Sequence, residues 1–316
     1  MCIRDRCSSG SKRPLVKPKN SFSAPLPQNL NLTSFSPTHK ELVPLSRCFF
    51  NTFLSKNSDR IRTRKSCLTL GSQSQIHVVK ILLVLLSAIP CLAFELFPNT
   101  TQAIVGISSG WNTSHVVLHR YEKDPRGAWR LVSQPFKGRL GANGLAWGRG
   151  LHPVPANSQM KREGDRRSPA GVFTLGGAWA YNPKTKRHPN LSFNVITSRD
   201  LWVEDPTSPH YNKHLRLDRE PSLAWEKKAQ MRQNVQAHSL KLFINHNAPP
   251  AIPGAGSSIF FHIWRGGGSK ATFGCTTMHQ SELEHLVQWV NPKRRPVYIL
   301  LPQAEYQAKR LQWKLP

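Results

Sequence analysis

A histidine and a cysteine thirteen residues apart, His262 and Cys275, are the pair in this sequence with the clearest chemistry to offer. They stand in the stretch FFHIWRGGGSKATFGCTTM, residues 260–278. A thiol attacks a carbonyl as its thiolate, so a catalytic cysteine needs a base or a positive neighbour, and backbone N–H groups to receive the oxyanion. His262 is the nearest base in sequence. Gly266, Gly267 and Gly268 supply turn chemistry between two strands that would set the imidazole beside the thiol. Gly274 would let a substrate approach the backbone, and the N–H groups around Cys275 would face the developing charge. On spacing alone the same residues also read as strand, turn and an inert buried thiol, because a lone cysteine packs as a small hydrophobe.

The elements that would position the pair are mostly strands. AIVGISS, HVVLHRYEK, WRLVSQPF, GVFTLGG, LSFNVITS and KLFINHN alternate or run apolar with β-branched residues, separated by clusters of Gly, Pro and Asn. The pattern predicts a mainly β domain, a curled sheet or sandwich with one or two short helices. SLAWEKKAQM carries helix-forming residues. Ser281 opens a capping box with Glu284, and Leu283, Leu286, Val287 and Val290 mark one helical face up to Asn291-Pro292. PVYILLP is a final buried strand, and residues 303–316 read as a surface tail with Trp313 docked.

The first quarter of the chain has a different character. Residues 1–78 are rich in Ser, Pro, Lys and Arg without sustained periodicity, and are expected to be disordered or to lie upstream of the true start. Residues 79–93 have the layout of a signal peptide: Lys80, an apolar run from Ile81 to Ile89, and small residues at Cys91 and Ala93. The run is shorter than the roughly 20 apolar residues of a membrane span. No Met occurs between Met1 and Met160, which makes Val79 the expected start. Cleavage after Ala93 would leave residues 94–316 as one catalytic domain, exported to the periplasm or cell envelope of a bacterium. Of six cysteines only Cys275 would remain, an unpaired thiol in an oxidising compartment.

The whole chain is formally +27, and from residue 94 onward 30 Lys and Arg stand against 14 Asp and Glu. Such a field favours a polyanionic neighbour, and for an exported chain that is an anionic envelope polymer. Nucleic acid is not expected: there is no zinc-finger spacing, basic heptad region or aromatic RNA-binding signature.

The arrangement of His262 followed by Thr272-Phe273-Gly274-Cys275 resembles the YkuD-like L,D-transpeptidase catalytic domain, whose signature is a His at a strand end, a loop, and Ser/Thr-x-Gly-Cys. KREGDRRSPAGVF, residues 161–173, is similar to the family's Thr/Ser-Pro-x-Gly-x-Phe hairpin, and WVEDPTSPHYN, residues 202–212, resembles a stretch of one branch. Phe273, Thr277 and Ile263 stand where many relatives carry His, Arg, and Gly or Ser. The resemblance implies that Cys275 attacks the L-centre carbonyl of diaminopimelate in a peptidoglycan tetrapeptide stem and that D-Ala leaves. It implies that His262 takes the thiol proton with its ring held by the Ile263 carbonyl, and that N–H groups of Gly274 and Cys275 receive the oxyanion. The thioester then passes to an amine of a second stem, or to water in an L,D-carboxypeptidase or amidase. No metal or organic cofactor is implied. A non-catalytic wall-binding module is the rival from another class.

Other residues are weaker candidates. Asn245, in Asn245-His246-Asn247, ends a strand expected beside that of His262 and would line the cleft, and Trp264 would shape its wall. Glu204 and Asp205 read as a solvated loop, and His210 and His214 lack a helix to align them as metal ligands. Lys161-Arg162 and Arg166-Arg167 read as a solvated face.

Overall fold

The computed structural model describes residues 97–316. The expected leader and signal segment lie outside the described residues. Thirteen strands appear in chain order: β1 Gln102–Ser108, β2 His115–Lys123, β3 Trp129–Leu131, β4 Phe136–Arg139, β5 Leu145–Trp147, β6 Ser168–Ala180, β7 Phe193–Val195, β8 Asp200–Trp202, β9 His214–Arg216, β10 Leu240–Ile244, β11 Phe260–Ile263, β12 Thr276–Met278 and β13 Val297–Pro302. Three short helices accompany them: α1 Ala224–Ala229, α2 Gln280–Trp289 and α3 Gln303–Lys309. Among the described residues no helix is long and apolar enough to cross a membrane.

The main sheet runs β1-β13-β6-β10-β11-β12-β4-β2-β3, and β2 also pairs with β1. Eight strands therefore close on themselves, which is the curled form of the mainly β fold that the strand pattern implies. Closure leaves no free edge along that ring. β1 and β13 are parallel neighbours with near-continuous burial, as their apolar runs require. The interior is filled from several strands by Ile104, Leu118, Phe173, Phe261 and Tyr298, with Phe261 and Tyr298 meeting edge to face at 4.6 Å.

α2 buries Leu283, Leu286 and Val287 against the sheet, the face that the sequence periodicity marks. It begins two residues earlier than the capping box suggests, because the His279 ring accepts the Ser281 N–H and caps the helix itself. The C-terminal segment is not a plain tail. α3 packs on β13 and β1, and Trp313 and Leu315 are buried beyond it.

The irregular middle of the sequence folds as a separate antiparallel ribbon of β8 and β9. Asp200 is fully buried at its base and accepts from Arg216 Nε at 2.8 Å, His214 Nε2 at 2.8 Å and Thr197 N at 2.7 Å. His214 is thereby a hydrogen-bond partner of that carboxylate. The ribbon inserts Trp202 among Trp179, Phe243 and Phe260, and so roofs the sheet next to His262.

Candidate active site

β11 and β12 are parallel, with His262 opposite Thr277 and Phe261 opposite Thr276. Parallel neighbours need a connection of about a dozen residues, and the loop with three glycines provides it. Gly266, Gly267 and Gly268 all take positive φ, from 57° to 89°, and turn the chain over the sheet. Side chains alternate along a strand. Thr276 points to the interior, where its hydroxyl meets Tyr298 Oη at 3.0 Å, so Cys275 and Thr277 belong to the face that carries His262.

The imidazole is fixed by two backbone carbonyls. His262 Nδ1 lies 2.9 Å from the oxygen of Ile263 and 3.1 Å from that of Ala237, both of which can only accept. Nδ1 must therefore carry the proton, and the neutral ring presents a lone pair at Nε2. Burial pushes the pKa of His262 down to about 4, against the opposing pull of the Ile263 carbonyl and with help from the charge of Lys241. His238 stacks on the ring at 4.7 Å, is 2% exposed, and has no hydrogen-bond partner at either nitrogen. Burial holds it neutral as well.

Cys275 is 1% exposed. Its thiol donates to the Ser258 carbonyl at 3.4 Å and its sulfur accepts the Phe260 N–H at 3.4 Å. The Ser258 hydroxyl is buried without a partner. The Cys275 carbonyl is clamped by Thr272 Oγ1 at 2.7 Å and Ser168 Oγ at 3.4 Å. Ser168 belongs to the hairpin motif at 161–173, and Arg166 of that hairpin lies over the Phe273 ring at 5.1 Å. The structure thus joins the two sequence motifs. WVEDPTSPHYN reaches the same place, because Asn212 Oδ1 accepts from Ser258 N at 3.0 Å and from Trp202 Nε1 at 3.0 Å.

Several residues fall elsewhere than the sequence suggests. The Gly274 N–H donates to Thr272 Oγ1 at 3.1 Å, so in this state it does not face an oxyanion. Glycine is required there for the backbone instead: φ is 152°, and a Cβ would stand 3.0 Å from the Arg167 carbonyl oxygen. Asn245 does not line the Cys–His site. It donates to Thr174 Oγ1 at 2.8 Å and borders a cavity of about 350 Å³ with Arg149, Leu151 and Asn247. Ile263 acts on the imidazole through its carbonyl. Trp264 leans edge-on to His279 at 5.8 Å and walls a groove on the far side of the glycine loop. Lys161 is no solvated residue: it is 4% exposed and pairs with Asp165 at 2.5 Å. Glu204 and Asp205 line a cavity of about 300 Å³ together with Glu163, Trp225 and Lys228.

Ala237, His238, Ser258 and Thr272 are the residues about the pair that sequence reasoning missed. Ala237 and Ser258 contact the pair through backbone oxygens, which leave no signature in side-chain type. Thr272 stands inside the motif, where its hydroxyl could have been read as a clamp. A family model described as the L,D-transpeptidase catalytic domain, YkuD, matches residues 137–299, just over half of the chain. No curated protein matches it.

Proposed function

Because the chain belongs to the YkuD family of L,D-transpeptidase catalytic domains, we propose that it is an exported cysteine transpeptidase of peptidoglycan, working through a thioester. The observation that carries the reading is the state of His262: Nδ1–H tied to two carbonyls, the ring neutral with its lone pair at Nε2, on a strand whose parallel neighbour begins one residue after Cys275. In the proposed reaction Nε2 takes the thiol proton as sulfur bonds to the diaminopimelate carbonyl of a tetrapeptide stem. The Cys275 N–H and the Ser258 hydroxyl receive the oxyanion. Collapse of the tetrahedral intermediate breaks the bond to D-Ala, whose amine leaves with the proton from His262. An amine of a second stem then attacks the thioester and releases the thiol.

Mass spectrometry with a carbapenem, a β-lactam class that acylates this family, tests the reading. One adduct on the purified protein, absent in Cys275→Ala, is the expected result. A folded protein that acquires no adduct would instead be a non-catalytic wall-binding module. Product analysis with a tetrapeptide donor then separates cross-linked dimer from tripeptide, the product if water is the acceptor.

A further inference from the structure

Strand register draws one row of side chains across the face that holds the Cys–His pair. His115 is paired with Arg139, Arg139 with Thr277, Thr277 with His262, and His262 with Lys241. Paired residues project to the same face of a sheet. The Arg139 backbone therefore stands two strands from that of His262, about 9.6 Å at roughly 4.8 Å per strand. Its guanidinium is held in place: Nη1 donates to the Gly268 carbonyl at 3.2 Å and lies 2.6 Å from His115 Nε2, and Nη2 donates to Ser114 Oγ at 2.9 Å.

Past Thr277 this row opens into a groove of about 480 Å³. Lys137, Arg139 and His115 supply its polar groups, Val117 and Trp264 its apolar wall, and among the described residues no carboxylate lines it. Val117 is 42% exposed beside the exposed Lys137, its register partner. The cavity lined by Glu163, Glu204, Asp205 and Lys228 is acidic on balance, and Glu163 is joined through Ser257 Oγ at 2.8 Å to the segment that carries Ser258. An acidic peptide drawn across the pair is thus repelled on one flank and attracted on the other.

We propose that the groove binds the free carboxylate on the second residue of the donor stem while the scissile carbonyl sits at Cys275. The inference rests on the transpeptidase reading and adds a specificity site to it. An extended peptide advances about 3.3–3.6 Å per residue, so the spacing between the His262 strand and Arg139 corresponds to about three α-linked residues, or to two where one is linked through its longer γ-carboxyl. The second stem residue is a glutamate linked through its γ-carboxyl, which leaves its α-carboxylate free. Arg139 offers that group a fixed positive charge and the one Nη2 N–H left over from Ser114, and the exposed Lys137 adds a second charge.

The test is a binding measurement that does not depend on turnover. Calorimetry on the Cys275→Ala protein compares two tetrapeptides, one with D-glutamate and one with D-isoglutamine at the second position. The acidic stem should bind about fivefold tighter at low salt, the scale of a partly exposed ion pair. Lys137→Glu in the same background should abolish or reverse the preference, with circular dichroism unchanged. Equal affinities, no binding of either stem, or a preference that survives Lys137→Glu would overturn the proposal. If Lys137→Glu lowers retention on isolated sacculi and leaves the stem preference intact, the groove belongs to an anionic polymer and the proposal also fails. Loss of the carbapenem adduct, by contrast, speaks only to the enzyme reading.

Discussion

Lowering the pH from 7 to 5 should bring this protein close to unfolding, because buried histidines are held neutral in several places at once. Burial drives His152 to about 4, His246 to about 3 and His262 to about 4. All three are nearly inaccessible. Their folded pKa values lie below the unfolded value of about 6.5, so the unfolded chain takes the proton first. The stability they contribute is complete above pH 6.5 and is lost as the pH falls toward their folded values. Each group costs about 1.4 kcal/mol per pH unit in that window, or roughly 2 kcal/mol by pH 5. The three together therefore remove roughly 6 kcal/mol, against a usual domain stability of about 5–15 kcal/mol. His238 acts in the same sense. Asp200, at about 2, lies outside this window, because a carboxylate with a depressed pKa loses its contribution only below the unfolded value of about 4. Urea unfolding followed by tryptophan fluorescence at half-unit pH steps reads the slope. His246→Gln, which keeps an acceptor for the Arg149 N–H and a donor for the Ala255 carbonyl, should reduce that slope by about 1.4 kcal/mol per unit. A stability that is flat from pH 7 to 5 would refute the assignment of these rings as buried and neutral.

Gly274→Ala should lose about 1–3 kcal/mol in urea unfolding, because the residue is held at positive φ and its new methyl meets the Arg167 carbonyl. Thr272→Val unpairs the Gly274 N–H and removes the shorter of the two hydroxyl bonds to the Cys275 carbonyl, those from Thr272 and Ser168. An orphaned buried group costs about 1–3 kcal/mol, and the turn that presents the thiol loosens, so carbapenem acylation should slow together with the fall in melting temperature. His238→Phe should leave stability unchanged or raise it, since it removes two buried nitrogens without partners and keeps a ring against His262. His238→Ala opens a cavity there and should cost about 2–5 kcal/mol by the same unfolding assay.

Alternation and turn residues were enough to read most of the strands, and the motif around Cys275 was enough to read the family. What local pattern cannot carry is which strand lies beside which. The ring closes through β1 with β2 and β1 with β13, and the latter pair joins residues nearly two hundred positions apart. Arg139 enters the row with His262 only through that long-range order, so its nearness to the pair was invisible in sequence. Asn245 fails for the complementary reason. It follows the strand beside β11, but its side chain turns to Thr174 on β6, and a strand end does not encode the direction of the last side chain. Lys161 read as surface because charged residues usually are, and Asp165, four residues on, is what makes its burial tolerable.

The same register that brings Arg139 near the base also places Lys241 directly opposite it. Lys241 is 1% exposed, donates to the Met231 carbonyl at 3.1 Å and lies 5.7 Å from the Phe260 ring. A buried cation beside a buried imidazole opposes protonation of the imidazole, which is one of the causes of its lowered pKa. A base so tuned is weak, and its conjugate acid is correspondingly strong. In the proposed reaction the step that demands an acid is expulsion of D-Ala, since an amine does not leave as its anion. A thiolate and imidazolium resting together would need solvent or countercharge, and the face around His262 supplies a lysine instead. In the proposed reaction His262 therefore rests neutral, takes the proton as sulfur adds to the carbonyl, and returns it to the departing nitrogen. On this argument the burial of His262 serves the leaving group more than the nucleophile.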